Sequence, residues 1–171
     1  MNRFILSLVF ALAFTCASHA QSFALVDMEY IMENIPAYKA ATQQMENLSK
    51  QWQKEIENKG KEAKSLYDSY QRTASALSAS QKTARENAII SKEKEVAELR
   101  NKYFGNEGEM MKKRDELMGP IQDAVYNAIK QIATQRNYDA VIDRASAQSM
   151  IFASPRIDIS NDVLAKIGYS K

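Results

Sequence analysis

The chain has 171 residues, of which 26% are charged and 45% hydrophobic, and its formal net charge is +2. This near balance of charge argues against a dedicated nucleic-acid-binding protein, which normally carries a basic surplus. One Cys and one His are present, so a disulfide within the chain is excluded and strong transition-metal ligands are scarce. The length suits one ordinary domain.

The first twenty residues have the three-part form of a secretory signal peptide. A short basic start ending at Arg3 precedes the run "FILSLVFALAFTCA", and small residues at 18 and 20 occupy the −3 and −1 positions of a cleavage site. The run is short for a membrane span, so we predict cleavage after Ala20. The alternative is a lipoprotein signal acylated at Cys16, but Phe14 is bulky where such signals favour small residues.

Cleavage would remove both Cys16 and His19, leaving no thiolate nucleophile and no imidazole. The sequence also has no P-loop, no dinucleotide fingerprint and no nucleophile triad. We therefore predict a non-enzyme that uses no cofactor and no metal. Downstream of residue 20 there is no second apolar run of membrane-spanning length, so we expect a soluble exported product stabilised by packing or assembly.

Residues 36–77 predict a long amphipathic helix. Pro36 suits the first turn of a helix, and Lys, Glu and Gln fill the positions between the apolar residues. The apolar residues recur three and four positions apart, as in a heptad stripe: Tyr38, Ala41, Met45, Leu48, Trp52, Ile56, Ala63, Leu66, Tyr70, Ala74 and Leu77.

Residues 80–135 predict a second helix of the same kind. Gly119-Pro120 should kink or restart it, because proline removes a backbone donor. Gly60, Gly105 and Gly108 also lie inside the predicted helices, where they would serve either close packing or bending of an arm. The second stripe of apolar residues is Ile89, Val96, Leu99, Tyr103, Met110, Leu117, Ile121, Val125, Ala128 and Ile132.

The serine-rich stretch "ASALSAS", residues 74–80, separates the two stripes. Serine hydroxyls compete for backbone groups and favour a chain reversal. We therefore predict an antiparallel helical hairpin folded about residue 78, which places Trp52 opposite Phe104 and Gly105. The alternative is one continuous helix in a parallel dimer, which the interruption of the stripe disfavours.

The two ends of the chain predict a small head. Strand candidates are "SFALVDM", "YDAVIDRA" and "SMIFAS", and "DISNDVLAKI" predicts a closing helix with Ser160 as N-cap and Asp162 in its first turn. Three short strands cannot make a stable sheet alone and leave unpaired edges. We therefore predict that several copies of the chain combine their strands.

The predicted fold is α+β and mostly helical, with a long antiparallel coiled-coil hairpin on a β-strand head that oligomerises. Residues 21–36 form the N-terminal part of the head, and residues 37–119 form the arm with its tip near 74–82. Residues 120–171 contribute the returning helix, two strands and the final helix.

The mature chain resembles the Skp (OmpH-like) family of periplasmic chaperones. The resemblance rests on "FALVDMEYIMENIPAYKAA" at the front and on "YDAVID" and "DISNDVL" at the back. It implies a homotrimer with a β-barrel body and three helical tentacles around a cavity. It further implies an ATP-independent periplasmic holdase whose partners are unfolded outer-membrane proteins.

A further apolar set follows the stripe on the second helix by one residue: Ile90, Phe104, Met111 and Met118. If the helix is continuous, these residues share one face about 100° from the stripe. One interpretation is a widened packing face, the commoner use of adjacent stripes, and Met118 belongs there. The other is a client-binding strip formed by Ile90, Phe104 and Met111 on the second helix and Tyr67 on the first.

Two further groups of residues are candidates for contacts. We expect an oligomer interface or head core at Phe23, Leu25, Val26, Val141, Ile142, Met150 and Phe152. The basic residues near the tip, Arg72, Lys82 and Arg85, would allow weak contact with anionic membrane lipid.

Two alternative functions compete with that of a holdase. One is a coiled-coil spacer or tether of the cell envelope, and the other is an adaptor for a single partner.

Overall fold

The computed structural model describes residues 22–147 and 149–169, so the predicted signal peptide lies outside the described residues. The chain forms two units. The arm is Met32–Tyr126, and the head comprises the described residues up to Ile31 and from Asn127 onward.

The predicted class, a mostly helical α+β fold, is confirmed. The elements are β1 (Phe23–Val26), α1 (Met28–Glu33), α2 (Pro36–Thr73), α3 (Ala79–Phe104), α4 (Glu109–Arg136), β2 (Ala140–Asp143) and α5 (Ser160–Lys166).

Helix α2 begins at Pro36, as the sequence predicts. The preceding residue, Ile35, has extended backbone angles, and proline tolerates the first helical position because the amide there has no intrahelical partner. The helix ends at Thr73, earlier than the predicted Leu77, because a 3-10 turn at Ala74–Ala76 begins the reversal.

The chain turns back at Ser78, which caps α3. Its hydroxyl accepts a hydrogen bond from the Gln81 amide at 3.3 Å, and the Gln81 side chain accepts one from the Ser78 amide at 2.9 Å. This reciprocal capping box satisfies two amides that would otherwise lack partners. Contacts between Trp52 and Phe104 and between the Tyr70 hydroxyl and Glu86 are both centred on residue 78. The antiparallel hairpin and its register are therefore confirmed.

The prediction of one helix across residues 80–135 is wrong. Helix α3 ends at Phe104 and α4 begins at Glu109. Two close approaches explain the glycines between them: a Cβ on Gly105 would lie 2.4 Å from the Asn101 carbonyl oxygen, and one on Gly108 would lie 2.8 Å from that of Tyr103. The predicted restart at Gly119-Pro120 is also misplaced, since α4 continues through Pro120.

Strands β1 and β2 pair in parallel, with Phe23 opposite Ala140 and Val26 opposite Asp143. The other edge of β1 is bridged at Leu25, whose carbonyl accepts a hydrogen bond from the Ile159 amide at 2.9 Å. The predicted third strand at residues 149–154 is wrong, because these residues adopt no strand and Asp158 takes the place beside β1.

The core of the head forms around β1 and α5. Buried apolar residues are Ala24, Leu25, Val26, Ile31, Ala128, Ile132, Ile159, Val163 and Leu164. Ser160 is not the N-cap of α5 but its first residue, and Ile159 precedes it. The reason is that the Ser160 hydroxyl is used elsewhere: it donates to Asp158 at 2.6 Å and accepts from the Asp27 amide at 2.8 Å. Asp162 lies in the first turn, as predicted.

Candidate functional site

The arm buries its own stripe and leaves other apolar side chains outside. Buried residues from the predicted stripes include Ala41, Ile56, Ala63, Ile89 and Tyr103. The four client-binding candidates are all more than a third exposed: Tyr67 46%, Ile90 60%, Phe104 38% and Met111 39%. Because the hairpin already has its packing seam, these side chains are available for contacts beyond this chain.

The structure divides the four candidates among different surroundings. Tyr67 lies on α2, and its hydroxyl accepts a hydrogen bond from Gln71 at 2.7 Å. Phe104 packs edge-on against Trp52, with ring centroids 6.3 Å apart. Ile90 lies on α3 and Met111 on α4, so the heptad spacing cannot be extended across the break between those helices. The heptad spacing therefore does not place Met111 and Met118 on one face with Ile90 and Phe104.

A shallow groove of about 410 Å³ lies at the middle of the arm, beside Tyr67. Its walls come from both helices of the hairpin: Gly60, Ala63, Lys64 and Tyr67 from α2, and Glu93 and Val96 from α3. A second groove of similar size is charged instead, with Glu55, Lys59, Glu95, Glu98, Leu99 and Lys102 around it. Two neighbouring segments of one hairpin thus present surfaces of different chemistry.

An aromatic cluster fixes the register of the arm near Trp52. Its ring stacks on Tyr103 with centroids 4.8 Å apart, and the Tyr103 hydroxyl donates to Glu55 at 2.9 Å. The hydrogen bond to the Glu55 carboxylate, followed by burial, raises the pKa of Tyr103 above its usual value. The sequence predicted Trp52 opposite Phe104 and Gly105; the contact with Phe104 is present, but the ring stacks on Tyr103.

Ion pairs along the arm are mostly local. Lys61 pairs with Glu57 at 2.7 Å and Lys64 with Asp68 at 3.1 Å, both four positions apart on α2. Such exposed pairs contribute little to stability. Lys92 is the member that links the two helices, since it lies 2.7 Å from Glu95 and 3.8 Å from Glu62.

The basic candidates at the tip flank the turn. Arg72 is in the last turn of α2 and is exposed. Arg85 is exposed and Lys82 half-buried, both near the start of α3. Contact between these three residues and lipid stays a prediction.

The head exposes a set of apolar side chains. Phe23 is 50% exposed, Ile142 42% and Phe152 83%. Val141 and Met150 are half-buried, while Leu25 and Val26 are fully inside the head. Sequence reasoning missed Ile151, whose side chain is wholly exposed, although its position beside Phe152 in "SMIF" was a usable signal.

An ion-pair network that sequence reasoning also missed joins three segments of the head. Arg144 contacts Asp27 through two nitrogens at 3.0 Å and Asp158 at 3.1 Å. Ser160 connects Asp158 to the Asp27 amide. The Tyr30 amide hydrogen bond, together with Arg144, lowers the pKa of Asp27 despite partial burial. The network fixes the segments after β1 and β2 against the approach to α5.

The family model of OmpH-like outer membrane proteins matches residues 22–167, which include both units of the fold. The chain belongs to the OmpH-like family. Its relatives include three proteins named "Chaperone protein Skp". The protein from Yersinia enterocolitica is 30% identical over 94% of each chain, and that from Photorhabdus laumondii is 28% identical over 92% of each. The protein from Pectobacterium atrosepticum is 26% identical over 86% of each.

Membership of the OmpH-like family confirms the resemblance carried by the end motifs. The relatives are named as chaperones rather than as enzymes. Within the described residues of this family member, no three His, Cys, Asp or Glu side chains are grouped to hold a metal ion. Among its described helices, none combines the length and apolar character needed to cross a membrane.

Proposed function

We propose that this OmpH-like protein is an ATP-independent periplasmic holdase that binds unfolded outer-membrane proteins and prevents their aggregation. The observation that carries the proposal is the exposure of Tyr67, Ile90, Phe104 and Met111 on an arm that has already buried its own stripe. Support comes from relatives named Skp chaperone that match more than nine-tenths of the chain.

The arrangement suits a client without fixed structure. Unfolded membrane strands expose alternating apolar residues and free edges that aggregate with one another. Weak contacts distributed along several arms hold such a chain through effective concentration. No single contact is tight, so release requires no nucleotide-driven step. This agrees with a sequence that lacks a P-loop.

Assembly of the head provides the several arms. A two-stranded sheet is marginal by itself, and the head exposes Phe23, Ile142, Ile151 and Phe152. We propose that further copies of the chain cover these side chains. The number of copies, three, follows from the family resemblance. Phe152→Asp should give a monomer in sedimentation at a concentration where the parent is a trimer, and a trimeric variant would remove Phe152 from the interface.

The proposed location follows from residues 1–20. A secretory signal peptide cleaved after Ala20 would deliver the protein to the periplasm. Mass spectrometry of the exported protein should find Gln21 at its N-terminus. A lipid attached at Cys16 would instead support the lipoprotein alternative.

The first experiment is native mass spectrometry of residues 21–171 mixed with a urea-unfolded outer-membrane barrel protein after dilution. Three copies bound to one client would support both the assembly and the holdase activity. A protein that assembles yet ignores the client would favour the envelope spacer. Strong preference for one client among several would favour the single-partner adaptor.

A variant series tests the arm residues. Tyr67→Ser, Ile90→Ser and Met111→Ser, combined, should weaken suppression of client aggregation while leaving helicity and assembly unchanged. Phe104→Ser is tested separately, because its contact with Trp52 also supports the fold. Tyr126→Ser is the matched control, since Tyr126 is 65% exposed on α4 and is not among the candidates.

Contact of the tip with anionic lipid is tested with vesicles. Replacing Arg72, Lys82 and Arg85 with Gln should reduce binding to phosphatidylglycerol vesicles at low salt, because each basic residue near such a surface contributes about 1 kcal/mol. Replacing Lys50, Lys54 and Arg100 removes the same charge from exposed positions in the arm away from its tip. Equal loss in both variants would refute a contact specific to the tip.

A further inference from the structure

Gly60 lies inside α2 at a position where the arm itself does not require glycine. A glycine within a helix costs about 1 kcal/mol relative to alanine. Among the described residues, nothing would lie within 4 Å of a Cβ at Gly60. This differs from Gly105 and Gly108, which are enforced by close approaches to carbonyl oxygens. The missing side chain instead leaves open the mid-arm groove beside Tyr67.

One wall of the groove is aromatic. Tyr67 is 46% exposed, and the hydrogen bond that its hydroxyl accepts from Gln71 restrains the ring. Ala63 and Val96 supply the small apolar surfaces around it. The volume of about 410 Å³ lies within the range of small-molecule sites, about 300–1,000 Å³. The groove is shallow, and this suits a side chain of an extended polypeptide better than an enclosed ligand.

The charges at the groove are not equivalent. Lys64 is paired with Asp68 at 3.1 Å. Glu93 makes no hydrogen bond and no ion pair within the described part of the chain. The groove therefore offers an apolar surface with one free carboxylate acceptor at its side. The complementary group is apolar in its body and carries a hydrogen-bond donor at its tip.

We propose that Gly60, Ala63, Tyr67 and Val96, with Glu93, form a subsite for tyrosine or tryptophan side chains of unfolded outer-membrane strands. The client ring lies against Tyr67 in an offset or edge-on arrangement, and its hydroxyl or indole N–H donates to the Glu93 carboxylate. Membrane strands carry girdles of such aromatic residues. This inference rests on the proposed holdase function.

The direct test uses methyl NMR of the full chain with labelled alanine and valine. The probes are N-acetyl-tyrosinamide, N-acetyl-phenylalaninamide and N-acetyl-leucinamide. The Ala63 and Val96 methyl signals should shift saturably with the tyrosine probe, at concentrations about threefold to tenfold lower than with the leucine probe. Equal, unsaturable shifts with all three probes would overturn the proposal.

Two variants separate the apolar surface from the acceptor. Gly60→Leu should fill the groove and abolish the saturable shifts, whereas Ser65→Leu adds the same side chain at an exposed position outside the groove and should not. Glu93→Gln should reduce the preference for the tyrosine over the phenylalanine probe. Glu46→Gln, at an exposed position in the same hairpin, should preserve it. Binding that survives Gly60→Leu refutes the site.

An aggregation assay with a diluted, urea-unfolded barrel protein keeps the two proposals apart. If the parent suppresses aggregation but its groove does not bind the tyrosine probe, the subsite is refuted and the holdase function stands. If the groove binds the probe but the parent fails to suppress aggregation, the holdase function is refuted, and with it the assignment to membrane strands. Binding of octanoate in preference to the aromatic probes would refute the aromatic subsite and favour a lipid tail.

Discussion

Trp52 and Tyr103 stack across the two helices of the arm, with ring centroids 4.8 Å apart and planes only 4° from parallel. The Tyr103 hydroxyl also donates to Glu55 on the opposite helix at 2.9 Å. One residue of α3 therefore holds α2 by both an aromatic contact and a hydrogen bond. This pair therefore fixes the register of the two helices at a point distant from the turn at Ser78.

Tyr103→Leu should destabilise the arm by about 2 kcal/mol, from the lost ring contact and the lost hydrogen bond. Urea unfolding followed by fluorescence reports this directly, because Trp52 is the sole tryptophan. Tyr103→Phe should lose about 1 kcal/mol, the hydrogen-bond share alone. Tyr126→Leu, at an exposed position, serves as control, and an unchanged midpoint in Tyr103→Leu would show that the stack does not hold the hairpin.

The hairpin register was predictable because two local signals agree. The stripes give the buried faces, and the serine-rich turn gives the fold point at residue 78. The neighbours of Trp52 were predicted in part: it contacts Phe104 as expected, but its ring stacks on Tyr103. Gly105 is instead the C-cap of α3, where it allows the close approach of Asn101. Sequence spacing identifies faces of helices and does not reveal which atoms crowd a helix end.

Ser78→Ala should remove the capping box at the tip and destabilise the start of α3 by about 1 kcal/mol. Hydrogen exchange should accelerate at the amides of Gln81 and its neighbours, while exchange near Ile56 remains slow. Ser80→Ala changes an exposed serine inside α3 and should leave exchange at the tip unaltered. Identical exchange in both variants would exclude a capping role for Ser78.

Alanine should be harmful at both glycines between α3 and α4. A Cβ at Gly105 or Gly108 would lie within 2.8 Å of a backbone carbonyl oxygen, so each variant must distort the break or extend a helix through it. Thermal unfolding should show a loss of stability of about 1–3 kcal/mol. Gly119→Ala is the control, since a Cβ there meets nothing described within 4 Å; it should stabilise the helix by about 0.5–1 kcal/mol.

Two features of the fold were not predictable from sequence patterns: the break at residues 105–108 and the absence of a strand at residues 149–154. Gly119-Pro120 carried the stronger breaker signal, yet proline remains tolerated inside α4 while two glycines end α3. The apolar segment "SMIFAS" has strand composition, but a strand also requires a partner for its backbone. Beside β1 that partner is Asp158, which composition does not mark.

Acid should weaken the head through Asp27. The folded-state pKa of this carboxyl lies below the ordinary value of 3.8, so its ionisation stabilises the folded state above that value. The contribution is lost as the pH falls through the folded pKa. The protection factor of the Ile159 amide, whose N–H bonds to Leu25 in the head, should fall as the pH drops below 3.8.

Asp27→Asn isolates this contribution. The variant should be less stable near neutral pH, and its stability should fall less than that of the parent as acid is added. Asp123→Asn, at an exposed position on α4, controls for loss of a charge. Parallel curves for the parent and Asp27→Asn would contradict the role of the Arg144 network.

The exposed residues of the candidate site were predictable from the sequence, whereas the position of the groove was not. Tyr67, Ile90, Phe104 and Met111 are exposed residues that a stripe argument can find. The groove beside Tyr67 depends on Gly60 and on the approach of Val96 from the other helix, which requires the three-dimensional register. Arg144 likewise acquires its importance from its contacts with Asp158 and with Asp27, which precedes it by 117 positions.

The parallel pairing of β1 with β2 dictates an order of events during folding. Ser22 and Asp139 are hydrogen-bonded although 117 positions separate them, and the whole arm lies between. The contacts of the hairpin join residues closer together in the sequence, so the hairpin can form once α3 has been made. Strand β1 must wait for β2, which lies near the end of the chain. A product cut short before β2 would therefore have a finished arm and no head. Such a fragment would lack both the β1–β2 pairing and the Arg144–Asp27 ion pair, which join the two ends of the chain.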